Sequence, residues 1–212
     1  MITIATLYWD RQDGTDHFAG GYSPEWVERL YRGFRRNLTC DFRFVVFTDR
    51  FRDYKHDEIV QRLLKDDPPT YESCLQPYEL NEPMILVGLD TVVTGNCDDL
   101  VEYCLGGDHI ALPLDPYNPH QVCNGVALVP DGHASVWTDR PDDLPPRTAD
   151  MTRLRGIRLR HIIDDLFPGQ VQSYKCHVKP RGDLGDARIV YFHGEEKPHQ
   201  LPDVAWIGEH WR

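Results

Sequence analysis

Asp90 stands inside the apolar run Met84-Ile85-Leu86-Val87-Gly88-Leu89-Asp90-Thr91-Val92-Val93. An ionised carboxylate in such surroundings is costly unless it has a partner, because burial strips it of water. Two chemistries supply one. The carboxylate can cap a turn at the end of a strand, or its hard oxygen can hold a divalent cation against a diphosphate, with positions left open for substrate. Near the other end of the chain, Tyr191-Phe192-His193-Gly194-Glu195-Glu196-Lys197-Pro198-His199 sets an imidazole, a glycine and an ammonium close together. Glycine lets a backbone approach a phosphate, lysine adds a compact positive charge, and histidine can ligate a metal or give a proton to a leaving oxygen. An ordinary surface turn around Lys-Pro has the same composition. Group transfer from a diphosphate therefore requires the two segments to converge and cradle a pyrophosphate; opposite sides of a sheet, or a salt bridge filling the space between them, would overturn an assignment built on that cradle.

The elements that must position these residues are legible in the hydrophobic pattern. Residues 2–9 read as a first strand, and the polar stretch 10–21 as a loop. Ser23-Pro24 opens a helix whose apolar face is Trp26, Val27, Leu30, Tyr31, Phe34 and Leu38. Residues 42–47 and 84–93 read as buried strands, with further strands at 110–112 and 126–129. This alternation predicts an α/β fold with a mostly parallel central sheet and helices on both faces, whose ligands sit at the carboxyl ends of the strands. Residues 139–151 are rich in Pro and Asp and read as a flexible surface loop, not a boundary, so residues 1–212 form one domain. Beyond them come a helical stretch at 159–166, strands at 171–174 and 188–192, and a tail whose Trp206 and Trp211 close over the core.

Composition narrows the function. With 41% hydrophobic residues in 212, the chain has ample material for a core. Its formal charge of -11 repels polyanions on average, which disfavours generic nucleic-acid binding. Two arginine groups (Arg29, Arg32, Arg35, Arg36 and Arg153, Arg155, Arg158, Arg160) are either local basic patches or solvated helix faces. The six cysteines form no C-x-x-C pair and are expected to be reduced. The histidines other than His193, among them His109, His133 and His161, show no metal-ligand spacing and read as structural. No basic leader and no apolar run of about 20 residues is seen, so the protein is expected to be soluble and cytoplasmic.

Several segments together resemble the retaining, GT-A-fold (Rossmann-like) glycosyltransferases related to glycogenin and to bacterial lipopolysaccharide galactosyltransferases. They are Ile4-Ala5-Thr6-Leu7, Glu28-Arg29-Leu30-Tyr31-Arg32-Gly33, Phe44-Val45-Val46-Phe47-Thr48-Asp49, Leu89-Asp90-Thr91-Val92-Val93 with Asp98-Asp99-Leu100, and Phe192-His193-Gly194 with Lys197-Pro198. The resemblance implies a hexosyltransferase using a nucleotide sugar, a UDP-sugar in that family's manner, with Mn²⁺ or Mg²⁺. It implies donor-binding roles for Thr6, Leu7 and Tyr8 at the uridine edge, Tyr22 on the base, and Gly194 and Lys197 on the diphosphate. Asp90 matches the last acid of the family's Asp-x-Asp metal motif, with His193 as a second ligand; Asp115 and Asn124 would order the hexose, and His193 would assist departure of the diphosphate.

The sequence also departs from that pattern. The first acid of the metal motif is Gly88, the family's metal-binding histidine falls on Tyr191, and Asn-Ser-Gly reads Cys123-Asn124-Gly125. The lysine expected before the metal strand aligns near Cys74, and no Gly-Asp-Gln appears near Arg158 to Arg160. Arginine or lysine could neutralise the diphosphate where metal ligands are missing. The acceptor is a glycan, a lipid-linked sugar or a small molecule. Two alternatives stand beside it: a phage-type enzyme glycosylating hydroxymethylated DNA bases, and a relative that binds nucleotide sugars without turnover.

Overall fold

The computed structural model describes residues 1–10 and 21–212; most of the loop expected at 10–21 lies outside them. In chain order the elements are β1 (Ile2–Tyr8), α1 (Pro24–Asn37), β2 (Phe42–Thr48), β3 (Ile59–Leu63), a 3-10 helix (Tyr71–Leu80), β4 (Met84–Val87), β5 (Val92–Val93), α2 (Asp98–Gly106), β6 (Ile110–Leu112), β7 (Leu114–Asp115), β8 (Asn118–Val122) and β9 (Val126–Val129). There follow α3 (Ser135–Thr138), α4 (Ala149–Arg155), β10 (Arg160–Ile162), α5 (Ile163–Leu166), β11 (Val171–Ser173), a π-type turn (Tyr174–Val178), α6 (Lys179–Arg181), β12 (Ile189–Tyr191), a second 3-10 helix (Pro198–Gln200) and α7 (Ala205–His210).

The main sheet has seven strands in the order β10-β6-β9-β4-β1-β2-β3. All its pairings are parallel except those of β9, which runs antiparallel to both β4 and β6. Side chains alternate across β4 as a strand requires. Met84 and Leu86 pack with Leu75 and Tyr78 of the 3-10 helix and Trp137 of α3, while Ile85 and Val87 pack with Leu30 and Phe34 of α1 and Leu100 of α2. Two apolar layers therefore sandwich the sheet, and the expected α/β architecture with helices on both faces is what forms. A smaller sheet, β11-β12-β5, and the β7–β8 hairpin stand beside it.

Three readings are corrected. The run 84–93 is two strands in two sheets: it breaks at Gly88 to Thr91, so β4 joins the main sheet and β5 pairs antiparallel with β12. The stretch 159–166 is an edge strand followed by one helical turn, because β6 offers a parallel partner that periodicity alone does not reveal. The 139–151 loop ends early, at the start of α4.

Six of the eight grouped arginines are engaged inside the fold, while Arg35 and Arg158 are exposed. Arg29 donates to the Trp211 carbonyl at 2.9 Å and lies over that indole, while Arg36 donates to the carbonyls of His210 and Arg212. Trp211, packed on Trp26, is thereby fastened to α1 and closes the core as expected. Arg153 holds the carbonyls of Ser135 and Val136, and Arg160 those of Arg155 and Ile157. These guanidiniums bind this chain's own backbone, which leaves most of the two groups poorly suited to a phosphate backbone. All six cysteines are free, as expected. Among the described residues no helix is long and apolar enough to cross a membrane.

Candidate functional site

A cavity of about 500 Å³ opens where β1 and β4 end. Leu7, Tyr8 and Trp9 enter it from the end of β1, Gly88, Leu89 and Asp90 from the end of β4, and Phe192, His193, Gly194 and Lys197 from the chain beyond β12. Because β9 is reversed, its leading residues Cys123, Asn124 and Gly125 arrive at the same rim. The two segments singled out in the sequence do converge.

They converge by direct contact. Lys197 Nζ donates to Asp90 Oδ2, and the two side chains are only 9% and 11% exposed. Tyr22 donates its hydroxyl to the same oxygen at 2.9 Å. The open cradle expected between Asp90 and Lys197 is thus closed by a salt bridge. The costly carboxylate of the apolar run is satisfied by an ammonium and a phenol. An ammonium carries three N–H donors, and Asp90 takes one, so Lys197 retains donors for an anion entering the cavity. Its position is fixed locally: Gly194 and Glu196 adopt left-handed backbone at φ 65 and 64, and the Lys197 N–H donates to Gln200 Oε1 at 2.7 Å.

The donor set does not fit a resident divalent cation. Such an ion wants several oxygen ligands, and here the one carboxylate on the β4 rim is already neutralised by Lys197. Gly88 offers no ligand, and a Cβ built there would lie 3.0 Å from Asp90 Oδ1 and crowd that carboxylate. Tyr191 fills the place of the expected histidine and packs on Gly125. His193 is turned to other work: its Nε2 bonds Ser173 Oγ at 2.7 Å and its ring meets Tyr117 edge-on. Burial, then the nearby Lys175 and Lys197, hold its pKa below the ordinary histidine value, so it is neutral near pH 7.

The other end of the cavity is more polar. Asn124 Nδ2 donates to Asp150 Oδ2 in the first turn of α4. Asp150 is 4% exposed, and burial pushes its pKa up to about 6. Asp115 pairs with Arg155 at 2.6 Å and accepts the backbone N–H groups of Tyr117 and Asn118, which sets the β7–β8 turn. Asp150 is the residue that sequence reasoning missed. It lies in the first turn of α4 at the end of the Pro-rich loop, and only the contact with Asn124 reveals it.

Asp150 makes a prediction. Between about pH 4 and pH 6 the folded chain keeps a proton that the unfolded chain releases, so its contribution to stability declines as pH rises through that window, by about 2 to 3 kcal/mol. Asp150→Asn removes that term. Urea unfolding at pH 4.5 and 7.5 should show the variant gaining about 2 kcal/mol on the parent between the two; an unchanged gap would refute the protonated carboxyl.

The remaining expected donor residues divide. Leu7 and Tyr8 line the cavity, but Thr6 is fully buried within the sheet and does not reach it. Tyr22 reaches the cavity, yet its ring stands edge-on against Trp26 at 4.8 Å and its hydroxyl is held by Asp90, so it braces the ion pair. Trp9, Tyr71 and Tyr117 are cavity aromatics that sequence reasoning passed over.

No protein-family model matches the sequence, and no curated protein is similar to it. The fold does have solved relatives. An active-site mutant of LgtC superposes with a TM-score of 0.62 at 10% identity, over 99% of this chain and 96% of that one. The bifunctional glycosyltransferase WbbM gives 0.63 at 10% identity, over 99% of this chain and 50% of that one. GlyE of Streptococcus pneumoniae gives 0.57 at 11% identity, over 92% and 55%. The fold is GT-A-like. This chain spans nearly the whole of LgtC but about half the length of WbbM and GlyE.

Proposed function

We propose that this chain is a glycosyltransferase that takes a hexose from a nucleotide sugar, with UDP as the favoured nucleotide, to a glycan, lipid-linked or small-molecule acceptor. The observation that carries the reading is the cavity at the carboxyl ends of β1 and β4 that both chemistry-bearing segments line, where ligands of α/β sheets bind; the salt bridge between Asp90 and Lys197 removes the open cradle as its ground. The similarity to LgtC, solved as a galactosyltransferase with donor and acceptor sugar analogs, agrees with it.

In this reading the nucleoside enters along Leu7, Tyr8 and Trp9, and the diphosphate meets Lys197 and the Gly194 turn. Negative charge grows on the departing diphosphate as an oxocarbenium-like sugar forms. Lys197 stabilises that charge, and Asp90 with Tyr22 holds the ammonium in place. The neutral imidazole of His193 lies beside the same segment as a hydrogen-bonding group. Asn124, Asp150 and Asp115 present carboxylates and an amide to the hydroxyls of the hexose. Retention of configuration is proposed on the resemblance alone.

The salt bridge also favours a second reading, a nucleotide-sugar-binding protein without turnover, because a neutralised Asp90 is no metal ligand. Incubation with a panel of nucleotide sugars, with Mg²⁺, with Mn²⁺ and with chelator, separates the two. Release of nucleotide diphosphate that survives chelation and falls at least about 100-fold in Asp90→Ala is expected for the transferase. Saturable donor binding with no release would establish the binder, and absence of both would end either reading.

A further inference from the structure

A second cluster of ligating side chains lies on the far edge of the main sheet, away from the cavity. Asp108 and His109 directly precede β6, and His161 is the middle residue of the edge strand β10, paired in register with Ala111. One ligand atom from each of the three lies within 4.8 Å of the other two. The pairing of β10 with β6 brings together residues that sequence spacing kept apart, which corrects the expectation that these histidines have no metal-binding arrangement.

The hydrogen bonds fix which ring nitrogen is free. Tyr103 donates its hydroxyl hydrogen to the His109 carbonyl at 2.7 Å. Its oxygen, 2.8 Å from His161 Nδ1, must therefore accept, so Nδ1 of His161 carries the proton and Nε2 the lone pair. His109 Nδ1 lies 2.9 Å from the Asp108 carbonyl, which can only accept, so His109 also keeps its lone pair on Nε2. Each imidazole thus keeps a lone pair on Nε2 while its other nitrogen donates to an oxygen. That is the usual support of a metal-bound histidine. The Asp108 carboxylate stands 3.8 Å from the Nδ1 side of His109 and must swing toward Nε2 to join a metal.

We propose that Asp108, His109 and His161 form a site for a divalent transition ion of the zinc class, distinct from the nucleotide-sugar cavity. Two imidazole nitrogens and one carboxylate oxygen match zinc and its neighbours better than magnesium or calcium, which prefer oxygen throughout. Three protein ligands leave the fourth tetrahedral position to water. Ligand atoms around such an ion stand about 3.3 Å apart, given bonds of about 2.0 to 2.1 Å, so the three groups must draw closer. Asp108 is 78% exposed and can swing in. The ion would clasp the three-residue strand β10 to β6, fastening an edge held by few backbone bonds.

Calorimetric titration of chelator-treated protein with ZnCl₂, and with MgCl₂ as the hard-ion control, tests this without any donor sugar. One zinc per chain with micromolar affinity is expected, together with an upward shift of the thermal midpoint by about 5 °C at saturation and none with magnesium. His161→Ala should abolish the tight site. His109→Ala, which alters a loop residue, serves if the first variant does not fold, and Tyr103→Phe should weaken binding about 10-fold by releasing the His161 tautomer. Parental zinc affinity in both histidine variants, or no saturation below about 1 mM, would overturn the site.

Discussion

Lys197→Ala is expected to reduce turnover of the nucleotide sugar by about 100-fold or more and, in the same protein, to lower stability by about 3 kcal/mol. The two effects share one cause. On the proposed function, removing the ammonium would deprive the departing diphosphate of its cation, and it also strands the Asp90 carboxylate, which is almost as buried as its partner. Breaking one side of a buried pair costs more than replacing both sides by groups of similar shape. Asp90→Asn with Lys197→Met should accordingly be more stable than Lys197→Ala while remaining without turnover. Chemical unfolding measured beside donor turnover in the three proteins provides the check. If the double variant were the least stable of the set, the salt bridge would not be the element that holds the rim together.

Gly125→Ala is expected to destabilise the chain by about 1 to 3 kcal/mol and to disturb the cavity floor. A Cβ there would lie 2.6 Å from Cδ2 of Tyr191. The ring cannot retreat, since Tyr191 is 3% exposed and its hydroxyl meets Cys123 Sγ. The damage should be relieved by Tyr191→Leu in the Gly125→Ala background, because the smaller side chain vacates the space the methyl needs. Donor affinity and unfolding midpoint would follow together in this pair. Additive losses in the double variant would show that the ring is not what demands the glycine.

The ladder of the main sheet was legible where one face of an element is continuously apolar. α1 appears with its expected face, and β1, β2, β6 and β9 lie where their β-branched runs placed them. The sequence was silent where partners decide the outcome. β3 has only one buried residue, Ile59, and β10 none, so each exists because a neighbouring strand accepts its backbone bonds. The candidate site divides in the same way. Asp90 announced itself as a charge in an apolar run, and Lys197 as its basic counterpart, but that they would bind each other was not written in either segment. Asp150 is one acid among many in a Pro- and Asp-rich stretch, and only folding shows that it alone is withdrawn from water.

The reversal of β9 has a consequence for how this scaffold can be altered. The connection from β6 into its antiparallel neighbour β9 stays at the carboxyl edge of the sheet and lines the cavity there as the β7–β8 hairpin, closed at its base by the Cys123 N–H on the Pro113 carbonyl at 2.9 Å. The ribbon pairs with no strand of the main sheet, so its length and tip, where Tyr117 is 69% exposed beside His193, can vary without disturbing the layers below. One inverted strand thereby separates the part of the molecule that builds the pit from the part that borders it.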